Sequence, residues 1–314
     1  MRRRDFTIGL LIAATTATVR AQEQTNQHRI AIVRPAGAIA LISETGIHFY
    51  REFFKELGDI EGRNLIVERY SGEGRPERFA DLAREVVNRT PEVIVVSNVM
   101  VTGADPIQVG LATSLARPGG NITGVMVQQA GSKMDGKRLQ ILKDAVPSAS
   151  KIAVLTMRTA WQDADGERFR EAGRQLETPL TGMLLEESTP SEYQRVFAEI
   201  VQQRPDAIIV SGISELFPYR HLIVELAEQN RLPGIYPYRD YAEAGGLIAY
   251  GSDLAELWRR MADDLHQVLN GAKPSDIPIY QPTKFELLIN LKAAQVLGLT
   301  IPPHLLARAD EVIE

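Results

Sequence analysis

The sequence predicts an α/β protein of two lobes, each a parallel sheet covered by helices. Two observations carry that prediction. Apolar strands alternate with amphipathic helices from His28 to Ser97, and the alternation restarts at Lys151 and runs to Tyr236. A third observation sets the arrangement. No Pro/Ser-rich linker separates the two series, so the lobes should share short strand-like crossings, with a ligand cleft between them. The chain of 314 residues suits one large or two medium domains, and an apolar share of 44% supports a substantial core.

The first residues stand outside this pattern. Arg2-Arg3-Arg4 is a positive leader, Ile8 to Ala14 a short apolar run, and Val19-Arg20-Ala21 places small residues where a signal peptidase reads. Arg3-Arg4-Asp5-Phe6 also fits a twin-arginine signal. The apolar run falls short of the roughly 20 residues a membrane span needs. Residues 1–21 are therefore expected to be a signal peptide cleaved after Ala21, leaving a mature chain outside the cytoplasm.

Along the mature chain, His28 to Val33 reads as a buried strand. Ile47, Tyr50, Phe53, Phe54 and Leu57 recur at helical spacing up to Gly58. Asn64 to Tyr70 is a second strand, Pro76 starts a helix, and Glu92 to Ser97 is a third strand. Val99 to Thr102 resembles a fourth, yet only Asn98 separates it from the third. A parallel crossover needs about a dozen residues. A helix is then expected over Ile107 to Leu115, a strand over Ile122 to Val127, and a helix from about Ser132 to Ala145.

The second series follows. Lys151 to Thr156, Leu180 to Leu185, Asp206 to Ser211 and Pro233 to Tyr236 are strands. Helices span roughly Asp165 to Leu176, the segment after the capping box Thr189-Pro190-Ser191-Glu192, and Glu215 to Gln229. Gly245-Gly246 opens another apolar run, Leu247 to Tyr250. Asp253 and Glu256 cap a strong amphipathic helix striped by Leu254, Trp258, Met261, Leu265 and Val268. Ile277 to Tyr280 is a short strand. Thr283 and Glu286 form a capping box for a helix reaching about Leu297, and the proline-broken tail packs on the surface.

Composition removes several function classes. A net charge of −5 with no basic stripe gives no reason to expect nucleic acid as a partner. The absence of cysteine excludes disulfides, thiolate metal sites and a cysteine nucleophile. No Walker loop, GxGxxG or GxSxG follows a strand, and the five histidines lack metal spacing. Asp163-Asp165 and Asp263-Asp264 read as helix caps and a solvated face. No catalytic set emerges, so an enzyme is not expected, and neither is a cofactor or metal.

What remains is a row of small polar residues at strand C-termini: Ser97, Asn98, Asp105, Thr156, Ser211 and Tyr236. In a parallel sheet that edge is the ligand edge. Helix N-termini there offer N–H groups to an anion, hydroxyls add donors, and Asp105 suits an ammonium. Tyr238 and Asp253 join the set from Leu232 to Asp253, where Tyr236, Tyr238 and Tyr241 cluster beside glycines. Two readings stay open: each residue is a routine cap, turn or core tyrosine, or the set lines one crevice.

Several stretches also resemble one family. They are Glu61-Gly62-Arg63-Asn64, Gly74-Arg75-Pro76, Ser114 to Gly124 (SLARPGGNITG), Gly136-Lys137-Arg138-Leu139, and Ala242 to Leu247 (AEAGGL). Gln281 to Glu286 (QPTKFE), Ile289 to Lys292 (INLK) and Leu297 to Pro303 (LGLTIPP) complete the series. In this order they resemble the TrpX-like periplasmic substrate-binding proteins of ABC transporters, over nearly the whole mature chain. The resemblance implies a type I periplasmic-binding-protein fold, with two Rossmann-like lobes joined by three crossings and closing on a small ligand. Some such relatives are associated with aromatic amino acids. The crossings would fall near Thr123 to Gln128, Tyr250 to Asp253 and Tyr280 to Thr283. Residues 28–124 with 253–279 would form lobe 1, and 125–252 with 280–314 lobe 2. Such proteins carry a helix and loop where this chain has Asn98, so about fifteen to twenty residues are missing there.

The expected function is a monomeric periplasmic solute-binding protein. It would bind a small solute, such as an amino acid or related carboxylate, and deliver it to an ABC permease in the inner membrane. The rivals are an exported ligand-sensing domain that signals to a membrane partner, and an exported α/β enzyme.

Overall fold

Two separate sheets organise the chain. The computed structural model describes residues 27–34, 55–73, 75–96, 106–107, 110–127 and 134–314. The signal peptide, most of the helix expected over Ile47 to Leu57, and the strand expected over Val99 to Thr102 lie outside these residues. So do Ser97, Asn98 and Asp105.

The smaller sheet has β1 (His28–Arg34) at its centre, β2 (Leu65–Ser71) on one side and β3 (Val93–Val96) on the other, all parallel. Helix α1 (Phe79–Asn88) links β2 to β3. The larger sheet is built from β4 (Ile152–Met157), β5 (Leu180–Leu185), β6 (Ala207–Val210), β7 (Gly234–Tyr236), β8 (Ile248–Gly251), β9 (Glu286–Asn290) and β10 (Glu311–Ile313). Their spatial order is β10-β9-β8-β7-β6-β4-β5, parallel except for the antiparallel pair β8/β9.

Both faces of the larger sheet are covered, as expected for buried parallel strands. On one face lie α2 (Met134–Ala145) and, after a short helix α3 (Arg158–Gln162), α4 (Ala164–Gln175). Leu139, Ile141 and Leu142 there meet Ile152, Val154, Ile209 and Ile235. On the other face lie α5 (Pro190–Gln203) and α6 (Arg220–Gln229). Their Tyr193, Phe197, Ile200 and Ile223 meet Ala153, Leu155, Ile208 and Val210. Successive strand residues thus point to opposite cores, the period-two signature of a strand.

Chain crossings tie the sheets together. After a short helix α7 (Arg239–Glu243) and β8, α8 (Leu254–Leu269) returns to the small sheet. There Ala262, Leu265 and Leu269 pack against Ile30, Ile32, Leu65 and Val95. Asp253 caps α8, its Oδ1 accepting from the N–H groups of Ala255 (2.8 Å) and Glu256 (3.2 Å). Asp253→Ala should cost about 1 kcal/mol in urea unfolding; no change would mean that the cap is not formed. Val125 and Tyr280 form a single parallel bridge, and Ser252 Oγ donates to the Val127 carbonyl at 2.6 Å.

Several expectations need correction. Among the described residues of 107–115 there is turn and bend rather than helix. Thr113 and Ser114 hydroxyls donate to the carbonyls of Arg117 and Pro118, and Gly110, Gly119 and Gly120 adopt positive φ, so local bonds hold a loop instead. Ile122 to Val127 and Ile277 to Tyr280 are not strands. Each lies beside the other and pairs only through that one bridge.

Neither capping box forms. Thr189 occupies the N-cap with Pro190 behind it, but its hydroxyl makes no cap bond. The Glu192 carboxylate instead accepts from the Glu186 N–H (2.9 Å) and holds Arg195, which keeps its pKa down at about 2. Thr283 to Glu286 starts no helix. Glu286–Asn290 is β9, and α9 (Leu291–Leu297) begins at Asn290, whose Oδ1 accepts from the Ala293 N–H at 3.1 Å. Leu287, Leu288 and Ile289 are buried on both faces, and a continuous apolar run of this length carries no period that separates strand from helix. The tail adds α10 (Pro303–Leu306) and the edge strand β10.

Asp264 is not on a solvated face. It is 2% exposed, with Arg260 Nε 3.3 Å from its Oδ1 and no hydrogen bond to either oxygen among the described residues. Burial pushes its pKa up to about 6, with Arg260 opposing and Asp263 adding to the rise. A carboxyl raised in the folded state destabilises the fold as it ionises. The penalty is absent below the unfolded value of about 4 and complete above about pH 6 to 7. Asp264→Asn should therefore match the parent protein at pH 4 and exceed it by about 3 kcal/mol at pH 7.5. Urea melts at the two pH values check this, and a stability gap that does not grow with pH counts against it.

Candidate functional site

The strand order places a crevice. β4 pairs with β5 on one side and with β6 on the other, so the crossovers leave in opposite directions at the C-terminal ends of β4 and β6. Ligands of open α/β sheets bind at such a switch point. A cavity of about 30 Å³ lies there, lined by Asp135 and Arg138 of α2, Asp165 and Arg168 of α4, Ser211, Tyr238 and Ser252 among others. It has room for a water molecule or so, well below a typical ligand pocket.

Hydroxyl groups form one part of the wall. Thr156 and Ser211 end β4 and follow β6, and Ser211 Oγ donates to Thr156 Oγ1 at 3.0 Å. Tyr238 Oη donates to the Gly212 carbonyl at 3.0 Å, its ring edge-on to Phe217. Burial pushes the Tyr238 phenol up to about 12. Ser252 spends its hydrogen on Val127. Each of these three hydroxyls on the wall therefore donates to the protein and offers lone pairs to the cavity. Hydroxyls expected to act as donors to a ligand are acceptors in this arrangement.

Charged groups form the other part. Arg138 Nε donates to the Tyr250 carbonyl (2.8 Å) and Nη1 to Asp135 Oδ1 (3.1 Å). Asp135 Oδ2 lies 3.5 Å from Arg168 Nε, and Arg168 Nη2 donates to Asp165 Oδ1 at 2.6 Å. The result is a chain of alternating charge, Arg138–Asp135–Arg168–Asp165. Its inner half is deeply buried, with side-chain exposures of 6% for Arg138 and 9% for Asp135, and its outer half is near one quarter exposed. Burial raises the pKa of Asp165, against the pull of Arg168.

The anticipated residues divide clearly. Ser211 and Tyr238 line the cavity, and Thr156 sits directly behind Ser211. Tyr236 does not line it. Its ring stacks on Tyr241 at 5.2 Å within the core, between Gly234 and Gly246. A Cβ on either glycine would come within 2.6 Å of that ring or its hydroxyl, so the two glycines create the slot that takes the ring inward. Asp253 is a helix cap beside Ser252, not a cavity residue. Ser97, Asn98 and Asp105 lie outside the described residues.

Sequence reading did not single out the four charged residues. Asp165 was expected to act as a cap, and Arg138 appeared only within a family motif. A signal was present: Asp135 and Arg138 fall on the same helical stripe as Met134, Leu139 and Leu142, all buried. Paired charges at i and i+3 on an apolar stripe mark a buried ion pair. Among the described residues no group of His, Asp and Glu could hold a metal ion, and no helix is long and apolar enough to cross a membrane.

Comparison with known proteins fits this architecture. A protein named "Tyrosine-binding protein" from Clostridioides difficile is 24% identical over 235 residues, 73% of this chain. The match spans 65% of that relative's length. A conserved domain protein from Vibrio cholerae has a solved structure with TM-score 0.73 and 21% identity, covering 91% of this chain and 99% of that one. An ABC domain from Streptococcus pneumonia, solved with L-Trp, gives TM-score 0.72 and 20% identity, covering 91% and 100%. These likenesses identify the two-lobed fold as that of type I periplasmic binding proteins. The family described as ABC transporter substrate binding protein, a family of binding proteins rather than enzymes, matches residues 94–313. With well over half of its length matched, the chain belongs to the ABC transporter substrate-binding protein family.

Proposed function

We propose that this chain is an exported solute-binding protein that carries an amino acid or related carboxylate to an ABC permease. The family match over residues 94–313 carries the reading. The relative named for tyrosine and the neighbour solved with L-Trp support the ligand class. Proteins of this family work outside the cytoplasm. The leader at residues 1–21 accords with export to the periplasm, and the permease would lie in the inner membrane. A monomer suffices for this role.

In this reading residues 28–124 with 253–279 form one lobe, and 125–252 with 280–314 the other. The packing of α8 on the small sheet supports that division. The solute binds between the lobes, and its contacts to both stabilise the closed form that the permease reads. The small cavity is then one wall of the site, completed on closure. The shortened connection at Asn98 reduces what lobe 1 contributes, and lobe 2 carries most of the contacts.

Titration calorimetry against the common amino acids, small carboxylates and uncharged polyols tests the proposal, with small-angle scattering to follow closure. One solute should bind with micromolar or tighter affinity, a binding free energy of about −8 kcal/mol or better, and reduce the radius of gyration. No binding and no compaction across the panel would overturn it.

A further inference from the structure

The alternating charge chain at the cavity has two unfinished ends. At one end Arg138 Nη2 makes no hydrogen bond among the described residues, although its neighbours Nε and Nη1 are both engaged. It lies against Gly251, 3.4 Å from where a Cβ would stand, and Arg138 as a whole lines the cavity. At the other end Asp165 gives one oxygen to Arg168, and its Oδ2 takes no hydrogen bond among the described residues. Between the ends, Asp135 and Arg168 satisfy each other and their neighbours.

Four charges that sum to zero line this wall. A solute with a net charge would leave one charge unmatched when water is expelled, which is costly in a closed site. The three hydroxyls at the wall spend their hydrogens on the protein and present only lone pairs. Among the side chains of the wall, the N–H groups left for an anionic group are therefore those of the two guanidiniums. An ammonium, by contrast, finds the Asp165 oxygen and the hydroxyl lone pairs.

We propose that Arg138 and Asp165 form a two-point receptor for a zwitterion: Arg138 takes the carboxylate and Asp165 the ammonium of an α-amino acid. This rests on the proposed solute-binding role and assigns the charge recognition to lobe 2. Asp135 and Arg168 are positioning residues. Their ion pairs tie the two ends to one another through a continuous chain of contacts, which limits the ordering left for the binding step. The Tyr250 carbonyl bonded to Arg138 belongs to the segment that leads into α8, so occupancy of Arg138 bears on a lobe crossing.

The experiment compares three forms of one amino acid, for example tyrosine, its amide and its N-acetyl derivative, by calorimetry on the full mature chain. The parent protein should prefer the zwitterion over either by roughly a hundredfold, the usual penalty for an unpaired partner in a desolvated charge pair. In Arg138→Gln the zwitterion-to-amide ratio should fall to within about threefold, and in Asp165→Asn the zwitterion-to-N-acetyl ratio should do the same. A purely structural role would lower all three affinities together and leave the ratios unchanged. Asp165 lies at the rim and its replacement should fold, so the Asp165→Asn result decides even if Arg138→Gln proves unstable. Unchanged ratios in the folded variants overturn the proposal. Binding of an uncharged polyol in preference to any amino acid overturns it while leaving the solute-binding role intact. No binding of any solute to the parent protein removes both.

Discussion

Gly251→Ala should lower stability by on the order of 3 kcal/mol, a drop of roughly 10 °C in the melting temperature of a domain this size. Gly251 closes β8, paired with Glu286 of β9. A Cβ there would lie 1.9 Å from the Pro237 carbonyl oxygen and 3.4 Å from Arg138 Nη2. The first contact is with backbone and cannot be relieved by a rotamer change, so β7 and β8 must separate. Gly212→Ala is the matched control at the same cavity. Its Cβ would stand 3.5 Å from Pro237 and from Tyr238 Oη, ordinary contacts that cost less than about 1 kcal/mol. Thermal melts followed by circular dichroism compare the two. Equal melting temperatures would show that the end of β8 is not seated beneath Pro237.

Asp135→Ala should cost about 3–5 kcal/mol, the range seen when one partner of a buried ion pair is removed. Asp135 is the carboxylate that meets both Arg138, at 3.1 Å, and Arg168, at 3.5 Å. Arg138 cannot shed its charge, and at 6% side-chain exposure it cannot reach water without leaving the Tyr250 carbonyl. The loss is therefore mostly that of a stranded cation rather than of a favourable bond. The double variant Asp135→Ala with Arg138→Met removes the stranded charge. It should be less destabilised than the sum of the two single variants, despite leaving the Tyr250 carbonyl without its donor. Urea unfolding of the four proteins closes the cycle. Strict additivity would mean that the two side chains do not sense each other.

Much of the C-terminal edge of the larger sheet was legible because it depends on local pattern. Thr156 and Ser211 end short apolar runs that alternate with helices and so read as strands, and their place at the C-terminal edge follows from strand direction. Their bond to each other needed the pairing of β4 with β6. Tyr236 shows the limit of that reasoning. A tyrosine ending a strand looks the same whether its ring faces a crevice or the core. The choice was made by Gly234 and Gly246, whose missing side chains open a slot beside Tyr241. The β9 segment shows another limit. A run buried on both faces has no period, and an exposed β8 edge captured it as a strand.

By itself the sequence determined the two βα series and their strand-to-helix order. It also carried the family motifs that agree with the match over residues 94–313. These depend on residues near one another in the chain, where spacing and backbone geometry act directly. Tertiary structure decided which polar groups face the cavity and what they can do there. Arg138, Asp135, Arg168 and Asp165 form no set in the sequence and come together only when α2 packs against α4 and the larger sheet. Only then do they leave water, and out of water the attraction between the four alternating charges is far stronger than on a solvated helix.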